Sequence, residues 1–163
     1  MNISIIKYAL QQSEGYRNHN SLDRNVLEMD LALFASKRRD VTASVLYSDL
    51  FYEIPGGLNP DQLGADRKQA RPRSEDQNSS ISNELFLLKL GQEYALSETL
   101  SNETSVYGSF NQFVNPFILD FKRDNQQVFG GRSVFNWELN GIDLLAGLEH
   151  QNSFFDGKNF GNV

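Results

Sequence analysis

The chain has 163 residues, with 21 Asp and Glu against 15 Lys and Arg, a net charge of −6. The length suits one domain, and the acidic balance argues against nucleic acid as a partner, because phosphate neutralisation needs clustered Lys and Arg. The absence of cysteine excludes disulfide frameworks, thiolate zinc sites, Fe–S clusters and cysteine nucleophiles, and leaves the compartment open. No stretch approaches the ~18 apolar residues of a transmembrane helix. The start, Met1-Asn2-Ile3-Ser4-Ile5-Ile6-Lys7, lacks a basic region followed by an apolar core, so no signal peptide is expected. Aromatic residues make up 12% of a chain whose mean hydropathy is −0.47. That combination suits strands with one apolar and one wet face rather than a sealed globular core.

Period-2 alternation dominates. Ile3–Leu10 reads as a first strand whose facing stays open. In Asn25–Ser36 the odd positions Leu27, Met29, Leu31, Leu33 and Ala35 form an aliphatic face, with Glu28, Asp30 and Ser36 opposite. Val41–Tyr52 sets Val41, Ala43, Val45, Tyr47 and Phe51 against Thr42, Ser44 and Ser48. Ile81–Tyr94 is less regular, with Phe86, Leu88, Leu90 and Tyr94 assigned to the apolar face. Glu103–Phe113 is a fifth strand of open facing. Arg132–Leu139 alternates Ser133, Phe135, Trp137 and Leu139 with Arg132, Asn136 and Glu138. Ile142–Gln151 places Ile142, Leu144, Ala146 and Leu148 opposite Asp143, Gly147, Glu149 and Gln151. A helix over Leu27, Leu31 and Phe34 fits less well than period 2. Each of the seven strands is about long enough to cross a bilayer at a tilt, ~9–11 residues.

The connections alternate in length. Ser13–Arg24, Glu53–Ser80 and Asn115–Gln127 are predicted long; Lys37–Asp40, Leu96–Asn102 and Asn140-Gly141 are predicted short, the last as a type I′ hairpin. In an up-and-down antiparallel sheet this puts long loops on one side and short turns on the other, the plan of a transmembrane β-barrel. Pro55, Pro60, Pro72 and Pro116 all fall in the long connections, where no ladder bond is lost.

The third strand continues through Tyr47-Ser48-Asp49-Leu50-Phe51-Tyr52-Glu53-Ile54-Pro55-Gly56-Gly57-Leu58 to Arg67-Lys68-Gln69-Ala70-Arg71-Pro72. This resembles barrel segments of TonB-dependent outer-membrane receptors of the iron-dicitrate and siderophore type. There, a strand ends in an aromatic and Pro-Gly-Gly-Leu before an Arg-x-Ala-Arg-Pro-like stretch. Ser13-Glu14-Gly15-Tyr16-Arg17 and Gly147-Leu148-Glu149 are similar to further elements of such barrels. The resemblance spans essentially the whole chain. It implies an all-β fold: residues 1–163 as about seven antiparallel up-and-down transmembrane strands, part of a larger barrel, with no plug domain. It also implies a bacterial outer-membrane location, outer-membrane lipid as surroundings, a ferric chelate as cargo, and a TonB system acting through a plug absent from this chain. The rival reading is a stand-alone small β-barrel, adhesin-like in a membrane or a soluble ligand-binding protein.

Several side chains matter to these readings. Glu28, Asp30, Arg132, Glu138, Asp143 and Glu149 share the polar face and are expected to face a lumen. Arg67, Lys68, Arg71 and Arg73, with Arg17 from the neighbouring loop, are the candidate attractors of an anionic chelate, since guanidinium forks suit carboxylates; a solvated loop balanced by Asp61, Asp66, Glu75 and Asp76 is the other reading. Aromatics are expected in two belts. Tyr16, Phe51, Tyr52, Phe110, Phe113, Phe117, Phe129, Phe154 and Phe155 fall on the long-loop side; Phe34, Phe135 and Trp137 fall on the short-turn side. Gly130-Gly131 suggests a bulge or close backbone approach. His19 reads as a polar loop residue and His150 as a rim residue; neither has metal-ligand spacing. Asp156-Gly157-Lys158-Asn159 reads as a turn, without the ligand pattern of a calcium loop. No nucleophile–base arrangement or phosphate loop is present, so neither covalent catalysis nor a cofactor is expected.

Overall fold

The computed structural model describes residues 4–139 and 141–162. Met1, Asn2 and Ile3, the last of which opens the first predicted strand, and Asn140 of the predicted Asn140-Gly141 turn lie outside the described residues; Gly141 itself takes φ 87°.

Seven strands form one antiparallel sheet in sequence order: β1 (Ile5–Ser13), β2 (Leu22–Ala35), β3 (Arg39–Glu53), β4 (Ser80–Ala95), β5 (Leu100–Pro116), β6 (Asp120–Leu139) and β7 (Ile142–Gly161). Each strand pairs with its neighbour, and β1 and β7 are not paired with one another. The sheet is therefore an open wall, not the closed small barrel weighed above.

Short side chains shape the tight turns. Ser36 Oγ accepts the Arg38 and Arg39 N–H groups at 3.3 and 3.0 Å, and Ser97 Oγ accepts the Thr99 N–H at 3.2 Å, the hydroxyl turn chemistry that competes with continued strand. The β3–β4 connection contains a helix, α1 (Pro60–Ala65), started by a capping box. Asn59 Oδ1 accepts the Gln62 N–H at 2.9 Å, and Gln62 Oε1 accepts the Asn59 N–H at 3.0 Å.

One face is apolar across all seven strands. Register carries Leu27 to Tyr47, Phe86 and Phe110, and Leu31 to Ala43, Leu90 and Val106. The open facings of β1 and β5 are thereby set: Ile6, Tyr8 and Leu10, and Val106, Gly108 and Phe110, belong to this face. Nothing among the described residues covers it. Among the described residues the buried hydrophobics are Ala43 and Ile118 alone, whereas Tyr8 is 65% exposed and Leu148 85%. A soluble sheet packs such a face on a second layer; this one has none.

Three expectations change, and a fourth, at Gly130-Gly131, is decided between its two alternatives. The stretch Asn115–Gln127 is not a long loop, because β5 and β6 run on to a tight turn at 117–119, closed by the Phe117 N–H on the Asp120 carbonyl at 2.6 Å. Residues Asp156–Asn159 are strand, paired with residues 122–125. Beyond Ala32 a register shift puts Phe34, not Leu33 or Ala35, opposite Val41 on the apolar face; a bulge inserts one residue and swaps the faces beyond it. At Gly130-Gly131 the register is regular, with no bulge. The close approach there is real: a Cβ on Gly130 would stand 2.7 Å from Tyr107 Oη and 2.6 Å from the His150 carbonyl.

Candidate functional site

The apolar face ends abruptly toward the long loops. Moving that way along each strand, its last apolar residue before a charged, amide or imidazole side chain is Leu10, Leu27, Tyr47, Phe86, Phe110, Phe129 and Leu148 in turn. The next residues on the same face are Gln12, Asn25, Asp49, Glu84, Gln112, Gln127 and His150. Phe154 lies beyond the edge on β7, stacked on Phe129 at 5.6 Å. The edge follows one hydrogen-bonded row from Leu27 through Tyr47 and Phe86 to Phe110, and leaves the rows on either side of it, by two residues from β1 to β2, two from β5 to β6 and four from β6 to β7. From Leu10 to Leu148 it slips by about eight residues over six strand-to-strand steps, and with ~3.4 Å per residue and ~4.8 Å per step this is an inclination of about 43°. Strands of transmembrane barrels tilt ~35–45°.

At the other end, Phe34, Phe135 and Trp137 share the apolar face, with Tyr94 joining them. The long-loop aromatics divide. Phe51, Phe110, Phe129 and Phe154 lie on the apolar face; Tyr52, Phe113 and Phe155 lie on the polar one. Tyr16 and Phe117 stand in connections. His150 falls on the apolar face at its edge, where Asn152 Nδ2 meets its Nε2 at 2.7 Å.

On the opposite face the register brings together Glu28, Asp30, Arg132, Glu138, Asp143 and Glu149. Asp30 accepts from Ser44 Oγ at 2.8 Å, and Glu28 pairs with Lys7 at 3.2 Å. Arg132 stands directly opposite Glu149 without forming an ion pair among the described residues. The larger hollows open on this face. One of about 460 Å³ lies between Arg38, Asp40, Glu93, Glu103 and Asn136, and one of about 370 Å³ lies between Arg132, Leu145 and Glu149. Tyr107 reaches across Gly130 and donates to Gln151 Oε1 at 2.9 Å, two strands away.

The long loops form one assembly. Arg17 Nη1 donates to the Gly56 carbonyl at 2.7 Å, Nη2 to Gln69 at 2.8 Å and Pro55 at 3.3 Å, and Nε to Gln69 at 3.0 Å. Gly56 makes this clamp possible: its φ is 69°, and a Cβ there would lie 2.9 Å from Arg71 Cβ. The Asn18 N–H reaches the Lys68 carbonyl at 2.7 Å, and the Arg71 N–H the Pro55 carbonyl at 2.7 Å. On the far side, Asn162 Nδ2 donates to the carbonyls of Gln77 and Phe117 at 3.1 and 2.7 Å. Ser74 and Ser79 are fully buried in this knot.

Arg17, expected to assist at a ligand, is thus a strut whose fork is occupied by backbone carbonyls. Arg67, Lys68, Arg71 and Arg73 differ. All four are exposed, and none forms an ion pair among the described residues, so Asp61, Asp66, Glu75 and Asp76 do not neutralise them by direct contact. Lys68 Nζ sits 5.8 Å over the Tyr16 ring. The sequence reading missed the contacts of His19 with Glu53 and Ser79; no local spacing signals a pairing across such sequence separations.

The crystal structure of the ferric citrate transporter FecA in its unliganded form superposes on this chain with a TM-score of 0.77, covering 97% of it at 15% sequence identity. The likeness shows a shared fold, an antiparallel up-and-down wall of strands. The chain spans about a quarter of that transporter, 24% of its length. No protein-family model and no curated protein matches the sequence.

Proposed function

We propose that this chain is the wall segment of an outer-membrane receptor that binds ferric chelates and admits them by TonB-coupled gating through a plug that is not among these residues. The observation that carries the membrane part is the inclined edge of an uncovered apolar face. A bilayer is flat while barrel strands are tilted, so its boundary must cut across the hydrogen-bonded rows, as this edge does taken end to end from β1 to β7, at a mean of about 43°. With lipid on that side, the sheet edges at β1 and β7 need further strands, because hydrocarbon cannot satisfy open backbone groups. The polar face then lines the interior with Glu28, Asp30, Arg132, Glu138, Asp143 and Glu149.

The chelate part is supported by the exposed cations Arg67, Lys68, Arg71 and Arg73 on a rigidly tied loop of an acidic chain, and by the similarity to a ferric citrate transporter. Loops on a rigid scaffold are the usual place for recognition, and cationic ones draw in carboxylate-rich anions. The work is selection and passage, not covalent chemistry. A direct test is equilibrium binding of ferric citrate and of carboxylate siderophores to the detergent-solubilised receptor. Saturable binding that weakens in the R67Q/K68Q/R71Q/R73Q variant supports the proposal; absence of binding to any ferric chelate refutes it.

A further inference from the structure

One buried titratable side chain has no part in this reading. His19 lies in the β1–β2 connection with its side chain 7% exposed and its backbone at φ 55°, a region that non-glycine residues occupy only when surrounding contacts hold them. Its Nδ1 stands 3.2 Å from Glu53 Oε1 at the end of β3. Its Nε2 stands 2.8 Å from the Ser79 carbonyl oxygen, just before β4. An ionised carboxylate and a carbonyl both only accept. A neutral imidazole has one N–H and one lone pair, so it would turn that lone pair on one of the two oxygens. The imidazolium alone donates to both.

We infer that His19 is a proton-operated latch: protonated, it ties the first loop to the two ends of the long β3–β4 connection, and on losing its proton it releases one of them and loosens the loop assembly. The charged group facing it from β3 is Glu53, and from residues 54–79 it meets the neutral Ser79 carbonyl. On its own loop, Arg17 is turned onto the carbonyls of Pro55, Gly56 and Gln69. The Glu53 carboxyl is held below its ordinary range, chiefly by the Ser21 N–H on Oε2 at 2.9 Å, against an opposing effect of burial and with a further contribution from His19. A depressed carboxyl stabilises the fold above its ordinary value and ceases to do so only as pH falls through the lowered one. Loss of the His19 proton therefore removes the imidazolium while the carboxylate, held ionised by its lowered range, persists. Arg67, Lys68, Arg71 and Arg73 ride on the latched segment. That the latch thereby sets how freely a ligand-facing loop moves rests on the proposed function; the latch itself does not.

The test is amide hydrogen exchange on the detergent-solubilised receptor at about pH 5 and about pH 8, corrected for intrinsic rates. It follows the Glu53 N–H, on the Ser21 carbonyl, and the Ile54 N–H, on the Ser79 carbonyl. Protection of both should fall roughly ten-fold or more on going to the higher pH, the size of one charge-assisted hydrogen bond, while mid-strand amides such as that of Val45 stay unchanged. His19→Gln should give low, pH-independent protection. Glu53→Gln keeps an acceptor for Ser21 and removes the ion, and should flatten the profile as well. Equal protection of wild type at both pH values, or a ten-fold change surviving in either variant, overturns the latch. Chelate affinity plays no part in this readout, so the latch and the proposed function fail separately.

Discussion

Arginine placed at successive positions along the apolar face of β2 should report depth. Leu27 marks the edge of that face, and Leu31 lies four residues further along the strand. At ~3.4 Å per residue and an inclination of about 43°, Leu31 is about 10 Å below the boundary. The apolar band of such barrels is ~25 Å tall, which puts Leu31 close to the midplane. Leu31→Arg should therefore cost ~2–4 kcal/mol, Leu27→Arg only ~0–1 kcal/mol, and Met29→Arg a value between them. The neighbouring Asp30→Asn, on the other face, keeps an acceptor for Ser44 Oγ and should cost less than ~1 kcal/mol. The assay is reversible denaturant unfolding of the receptor from phospholipid vesicles, followed by tryptophan fluorescence. A flat profile across positions 27, 29 and 31, or equal losses for Leu31→Arg and Asp30→Asn, would refute both the facing and the placement of the bilayer.

Gly130→Val should displace the Tyr107 ring, cost ~1–3 kcal/mol of stability by overpacking, and uncouple Tyr107 from Gln151; if Tyr107→Phe lowers the stability of wild type but not of the glycine variant in the same titration, the overlap is confirmed, and additive losses would contradict it. Arg17→Lys keeps the charge but loses the fork onto three carbonyls, so limited trypsin digestion at Arg67, Lys68 and Arg73 should speed up; an unchanged cleavage rate would mean the clamp does not hold the loop. In stopped flow, changing Arg67, Lys68, Arg71 and Arg73 to Gln should slow chelate association at low salt and much less at high salt, because screening already removes long-range attraction there; an association rate unchanged at low salt would leave them an ordinary solvated loop.

Legibility in the sequence followed the solvent boundary. Where one face is apolar and the other polar, alternation sets facing residue by residue, and β3, β6 and β7 came out as read from Val41, Phe135 and Leu144 onward. Above the band both faces meet water, and nothing enforces alternation. Asn115, Lys122, Arg123, Asp124, Asn125 and Gln126 are polar in both phases, so the outer part of the β5–β6 hairpin reads as loop. The same holds for Asp156–Asn159. In β2 the run from Leu31 to Ala35 is apolar in both phases, which hides the bulge. The polar face was readable because Glu28, Asp30 and Glu149 sit in phase with their strands. The loop contacts were not, because Arg17 meets Gln69 and His19 meets Ser79 only after the sheet has aligned β1 to β4.

The central claim is that the uncovered face of this sheet meets hydrocarbon. Trp137 is the chain's single tryptophan, it lies on that face, and it is 47% exposed. Reconstitution of the receptor, with every tryptophan outside these residues replaced by phenylalanine, into vesicles whose acyl chains carry bromine at graded depths, with Trp137 fluorescence as the readout, tests the claim most directly. Strong quenching that is greatest for bromine near the headgroup end of the chains is the predicted result, as befits an aromatic at a bilayer interface. A water-exposed, red-shifted emission that no brominated lipid quenches would contradict it.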